Sequence, residues 1–257
     1  MEIILAVIVA AFLMELIDST VGGGFGTVLS PLLLIFGYDP IAVVASILLS
    51  EILTGFTVGI LHDRASSLEI MKSYDAKLTL GIFMISGIIA SLFAMVVVIS
   101  INATFVKIYI ALLVIAMGLI MLYNRNAERF YSHKTTTGLG LLCGFNKAIS
   151  GGGYGPIATS GQIINGANPK MSVAITSISE AVICVVSFIS YYLIYGFDYF
   201  FGVGNISLLS SIVLGAILAT PISAFAVSKT KERNLTQIIA VAILIIGGVL
   251  LFKIIVG

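Results

Sequence analysis

Charge is scarce in this chain of 257 residues: 13 Lys and Arg with 12 Asp and Glu make up 10% of it, against 59% hydrophobic residues and a mean hydropathy of +1.17. So little charge cannot cover a water-facing surface of that size, which excludes a soluble domain and leaves an integral membrane protein. Histidine is confined to His62 and His133, both in polar stretches, so no span carries an imidazole that could act as a base. Cys143 and Cys184 stand alone in apolar segments, which excludes a disulfide framework or a metal spacing and leaves small packing residues. No Gly-Lys-Ser or Gly-Lys-Thr phosphate loop occurs, which argues against ATP-driven pumping by this chain. The net charge of +1 and the absence of a basic cluster give no reason to expect a nucleic-acid partner. Ten-residue alternation is also absent, so a membrane barrel is excluded. No cofactor and no metal are expected.

What is present is duplication. Gly22-Gly23-Gly24-Phe25-Gly26 returns 129 residues later as Gly151-Gly152-Gly153-Tyr154-Gly155. At the same offset Gly37 and Pro40 return as Gly166 and Pro169, Val44-Ala45 as Val173-Ala174, and Ser50-Glu51 as Ser179-Glu180. Segments 78–100, 199–228 and 235–252 carry no ionisable Asp, Glu, Lys, Arg or His, and 41–61 and 171–197 carry one acid each. Such lengths suit helices crossing about 30 Å of hydrocarbon. The expected fold is an all-α integral membrane protein of two repeats, each a glycine-broken helical hairpin followed by three transmembrane helices. Repeat one, 1–123, has its hairpin at 3–36 and helices at 41–61, 78–100 and 105–123. A cytoplasmic linker covers 124–136. Repeat two, 137–257, has its hairpin at 137–165 and helices at 171–195, 206–227 and 235–255. The first twenty residues lack a basic start and recur mid-chain, so they read as mature protein rather than a signal peptide.

Loop charge decides between a single broken span and a hairpin that enters and leaves on one side. With hairpins, Arg64, Lys72, Lys77, Arg125, Arg129, Lys134, Lys170, Lys229, Lys231 and Arg233 share one face, opposed by Lys107 and Lys253. Broken single spans would divide the basic residues almost evenly. The positive-inside rule therefore selects hairpins, both termini outside, and an odd number of crossings per repeat, which inverts one repeat relative to the other. The aromatic run Tyr191, Tyr192, Tyr195, Phe197, Tyr199 and Phe200 falls at the outer interface of this topology, where it forms either an aromatic belt or ordinary packing.

Three glycines inside an apolar segment weaken a helix and release backbone groups that lipid cannot satisfy. Backbone of that kind persists at membrane depth only where protein or a water-lined cavity covers it. New half-helices starting at Phe25 and Tyr154 would direct their positive ends at the breaks, forming an anion site near the midplane. The substrate-binding set is Thr20, Gly22, Gly23, Gly24 and Phe25 at the first break, and Asn146, Lys147, Ser150, Gly151, Gly152, Gly153 and Tyr154 at the second, with Ser19, Thr27 and Thr159 close by. The competing reading is that the glycines only let helices pack closely. Lys147, whose counterpart is Asp18, costs about 2.5 to 3.5 kcal/mol inside a membrane and so has a partner or a task. Either it binds the anion or it pairs with Asp18 or Glu15. Glu51 and Glu180, each 27 residues beyond its glycines, either brace the breaks or carry a coupling proton. Glu15, Asp18, Glu51 and Glu180 against one lysine suit an anion badly unless protonation, pairing or a bound cation such as Na⁺ intervenes.

The pattern Gly-Gly-Gly-Phe-Gly, Pro31 and Pro40-Ile-Ala-Val-Val-Ala-Ser, repeated as Gly-Gly-Gly-Tyr-Gly-Pro and Pro169-Lys-Met-Ser-Val-Ala-Ile-Thr-Ser, resembles the sulfite exporter TauE/SafE family of membrane transporters. The second copy has Ser160 where the first has Pro31, and its proline, Pro156, comes earlier. The resemblance implies transport of small sulfur-containing anions such as sulfite, thiosulfate, sulfonates or sulfoacetate without ATP, in the plasma membrane of a microbe. The expected function is thus a secondary transporter working by alternating access, with a small anion and the lipid bilayer as partners. The coupling ion, proton or Na⁺, and the oligomeric state stay open. A passive anion channel is the nearest rival. An intramembrane hydrolase with Ser150 as nucleophile is the enzyme alternative, and Lys147 is its one candidate base.

Overall fold

Hydrocarbon offers no hydrogen bonds, so each apolar run must satisfy its own backbone as a helix. The computed structural model describes residues 2–21, 25–65, 70, 72–123, 132–164, 167, 169–202, 205–226 and 232–256, and every regular element among them is helical. In order these are α1 (Glu2–Val21), α2 (Phe25–Ile35), α3 (Pro40–Ala65), α4 (Tyr74–Ser100), α5 (Ala103–Tyr123), α6 (His133–Ser150), α7 (Gly155–Ile164), α8 (Pro169–Tyr195), α9 (Phe197–Phe201), α10 (Ile206–Ala226) and α11 (Glu232–Val256). Within them Pro40–Ile60, Tyr74–Ser100 and Met171–Tyr195 are long and apolar enough to cross a membrane. Shorter apolar helices occupy Phe25–Ile35, Ala103–Leu119, Ile206–Ile222 and Leu244–Val256. On α4, Ile85, Ile89, Phe93 and Val96 recur at helical spacing and all face outward, as a lipid-facing stripe requires.

One boundary differs from the sequence expectation where a polar residue caps a helix. α4 starts at Tyr74 rather than 78 because the Ser73 hydroxyl accepts from the Ala76 amide at 3.3 Å, drawing the turn Tyr74 to Lys77 into the helix. α6 starts at His133, inside the expected linker, and 124–131 lie outside the described residues. The five-residue α9 was not anticipated.

Shifted by 129 positions, α1 to α5 overlay α6, α7, α8, α10 and α11, so α9 is extra. Packing follows the same exchange. α1 lies on α10 and α6 on α4, while α3 crosses α8 and α5 crosses α11. Along the α3–α8 crossing, Glu51 meets Cys184, Gly55 meets Ala181 and Gly59 meets Ile178, so these equivalent helices run antiparallel. Small residues permit the close crossings. A Cβ on Gly144 of α6 would run into the backbone of Gly87 on α4, and one on Gly215 of α10 into the carbonyl of Ile8 on α1. These contacts fix α6, and with it Lys147, against the centre of the molecule.

The aromatic run packs on itself. Tyr191 and Phe200 are buried, Tyr195 lies 6.1 Å from Tyr191 and 5.3 Å from Tyr199 between ring centres, and the Tyr191 hydroxyl donates to the Ala148 carbonyl at 2.9 Å. Tyr192 and Phe197 face outward. On α9, Tyr199 donates to Asp39, which itself accepts from the Ile41 and Ala42 amides at the start of α3; burial, with the Asp39 bond, pushes the Tyr199 phenol above its ordinary range.

Candidate functional site

The second break is a sharp turn between α6 and α7, in which Gly151 and Gly153 hold φ of 69° and 74°. That left-handed backbone suits glycine and strains any residue with a Cβ. Each glycine amide has a partner within the chain. Gly151 donates to the Lys147 carbonyl at 2.9 Å and closes α6; Gly152 donates to Ser150 Oγ at 3.1 Å; Gly153 donates to Thr27 Oγ1 at 3.0 Å. Thr27 belongs to α2, so this last bond ties the second break to the half-helix that follows the first. Gly26 lies so near that a Cβ there would overlap the Gly151 carbonyl oxygen, and one on Gly152 would sit 2.6 Å from the Thr27 amide nitrogen.

The two halves therefore meet at the break, yet without an opening between glycine and glycine. Gly22, Gly23 and Gly24, and the side chains of Ser19 and Thr20, lie outside the described residues. Phe25 is fully buried, and its amide donates to Asp18 Oδ1 at 3.1 Å. Asp18 thus places the protein's own carboxylate at the positive end of α2, where an external anion was expected.

Lys147 sits in the last turn of α6, fully enclosed, with its ammonium at the helix end that favours positive charge. Its Nζ lies 2.8 Å from Glu180 Oε1 and is ion-paired with Glu51 Oε2. These acids stand at equivalent positions of the two repeats and are delivered by the antiparallel α3 and α8, while Asp18, weighed as a partner from sequence, also acts on the ammonium through its charge. Glu51 Oε2 also accepts from the Cys184 thiol at 3.5 Å. Beside this triad is a cavity of about 10 Å³ lined by Glu15, Asp18, Glu51, Thr54, Ser177 and Glu180, room for about one water.

Asn146, one residue before Lys147, turns the other way. Its Oδ1 accepts from the Tyr109 hydroxyl of α5, and its Nδ2 is buried without a hydrogen-bond partner. Tyr109 was not singled out from sequence, and a lone tyrosine 37 residues away gives no periodic signal. Ser150 Oγ donates to the Asn146 carbonyl at 2.7 Å and caps the break, which leaves the nucleophile weighed above occupied by backbone. Tyr154 is fully buried and its hydroxyl lies 2.9 Å from Ser179 Oγ; Thr159 and Gln162 bond to Thr176. These three side chains pin α7 to α8, the helix that carries Glu180.

A duplicated, lipid-faced bundle of helices with broken elements and a buried ion triad at the contact of its halves is a membrane protein of the transporter class. The sulfite exporter TauE/SafE family matches residues 7–250, and the chain belongs to that family. It is 26% identical over 246 residues to the probable membrane transporter protein YtnM of Bacillus subtilis (strain 168), an overlap of 92% of this chain and 78% of that relative. No solved structure matches it.

Proposed function

We propose that this protein is a secondary transporter of a small sulfur-containing anion of the sulfite, thiosulfate, sulfonate or sulfoacetate type. It works by alternating access between two inverted repeats in the plasma membrane, with both termini outside. Three features support the inverted arrangement: the constant offset of equivalent helices, their reciprocal packing, and the antiparallel crossing of α3 on α8. The substrate class follows the family's description as sulfite exporters.

The observation that carries the reading is Lys147, a fully enclosed cation at the junction of both repeats, one residue from the unpaired Asn146 amide. In this conformation Gly26 rests directly on Gly151 and Gly152, as in an occluded stage. Separation of the repeats there exposes Lys147, Asn146 Nδ2 and the break amides together. Anion binding then replaces internal hydrogen bonds and ion pairs with bonds to the guest, and rocking of one repeat against the other presents the site to each side in turn.

Counterflow in liposomes tests this. Vesicles preloaded with unlabelled thiosulfate or sulfite should take up labelled anion faster than empty ones. Equal rates would indicate a channel, and no uptake of either anion would remove the proposed substrate class.

A further inference from the structure

We infer that anion binding and proton uptake are a single event in this protein: the incoming anion takes the place of the Glu180 carboxylate on Lys147, and the released carboxyl accepts a proton from water. The inference rests on the anion-carrier reading and specifies what couples that site to the proton gradient.

Lys147 has no spare face. Its ammonium is enclosed and already holds a carboxylate from each repeat, so a third anion can approach only by displacing one. Glu180 is the one free to leave. Both line the water-sized cavity, but Glu51 is retained by the Cys184 thiol as well as by Lys147, whereas the Glu180 side chain is the more exposed, 15% against 8%.

Charge then dictates the proton. The ionisable groups around Lys147 are Glu51 from α3, Glu180 and Cys184 from α8, Asp18 from α1, Tyr154 just before α7 and Tyr109 from α5, with Cys143 one turn earlier on α6 and Glu15 across the cavity. α2 contains no ionisable residue, and Tyr74, Asp75 and Lys77 of α4 lie at its far end. Among the described residues one ammonium faces four carboxyl groups, which leaves no positive charge to balance both a guest anion and a released carboxylate. A cavity with room for about one water solvates a released carboxylate poorly, and a proton removes the charge whose desolvation costs several kcal/mol. A monovalent anion such as methanesulfonate and a proton arriving together leave the net charge of the site unchanged, and with divalent thiosulfate the proton offsets one of its two charges.

The test uses purified protein in weakly buffered detergent solution with a pH-indicating dye, and thiosulfate and methanesulfonate as probes, since neither titrates near neutrality. Each binding event should remove about one proton from solution, and the Kd should tighten as the pH falls, by at most about tenfold per unit. Glu180→Gln should bind the same anions with a Kd that does not vary with pH. If the parent binds thiosulfate with a constant Kd and no proton uptake, the coupling is wrong while the anion carrier stands. If Glu180→Gln keeps the pH slope, Glu180 is not the group that takes the proton. If neither probe binds at any pH, the anion site itself fails and this inference fails with it. Should Glu180→Gln not fold, the parent's proton count alone decides the coupling.

Discussion

The Gly153 amide donates to the Thr27 hydroxyl at 3.0 Å, a buried bond between residues 126 positions apart that ties the break of one repeat to the half-helix of the other. Thr27→Val keeps the shape of the side chain but leaves the Gly153 amide without an acceptor. We expect a loss of about 1–3 kcal/mol in stability, seen as a lower Tm in detergent, whereas Thr27→Ser retains the parent stability within about 1 kcal/mol. A Thr27→Val protein as stable as the parent would mean that the bond contributes nothing to holding the halves together.

The ion triad predicts a rescue. Lys147→Met leaves Glu51 and Glu180 facing each other in the interior without a cation, at a cost of about 3–5 kcal/mol. Adding Glu51→Gln and Glu180→Gln removes the stranded charges and should restore most of the lost thermal stability. Anion transport should stay abolished in both proteins. Full transport by the rescued variant would show that Lys147 holds the structure and does not bind the substrate.

Much of this architecture was legible in the sequence, and the reasons differ by element. Helix positions were read from hydropathy because lipid permits little else; that signal does not mark the polar ends, so the turn Tyr74 to Lys77 joins α4 under a cap, α3 runs on to Ala65 and α11 begins at Glu232. The equivalence of Glu51 and Glu180 was visible from the 129-residue offset. Their convergence on Lys147 was not, because it depends on α3 and α8 crossing, a tertiary relation that no local pattern encodes. Asp18 was read as the counterpart of Lys147, and its bond to the Phe25 amide at the start of α2 has no signal in the sequence pattern. α9 was hidden because five residues are too few for helical periodicity to show.

Two glycines give opposite expectations. A Cβ at Gly26 meets the Gly151 carbonyl, a backbone atom that cannot swing aside, so Gly26→Ala should prevent the halves from closing. Gly81 in α4 has open space around its Cβ position, and Gly81→Ala should leave stability unchanged or raise it by up to about 1 kcal/mol through helix propensity. Parallel expression and thermal unfolding of the two variants checks the contrast. Equal stability of Gly26→Ala and Gly81→Ala would show that the break contact is not tight.

Asn146 separates binding from support. Under the proposed function its buried Nδ2 is a donor awaiting the substrate, while Tyr109 satisfies the opposite end of the amide. Asn146→Ala should raise KM for thiosulfate uptake about tenfold, the worth of roughly one hydrogen bond to an anion. Tyr109→Phe removes the supporting hydroxyl but leaves the donor, so its KM should rise less. A larger effect from Tyr109→Phe would place the substrate against Tyr109 instead.

The repeats also expose an unfilled position. In the second half the Tyr154 hydroxyl meets Ser179 Oγ at 2.9 Å, and the equivalent residues of the first half are Phe25 and Ser50. Phenylalanine has no hydroxyl to offer, and Ser50 Oγ is buried without a hydrogen-bond partner. If the two halves share local geometry, Phe25→Tyr puts an oxygen where Ser50 can use it and should add about 0.5–1.5 kcal/mol of stability. Phe25→Tyr combined with Ser50→Ala should lose that gain, because the new hydroxyl would then be the orphan. A fall in Tm for Phe25→Tyr alone would mean that Phe25 is packed too closely to admit one more atom, and that the likeness of the halves stops short of the contacts around the first break.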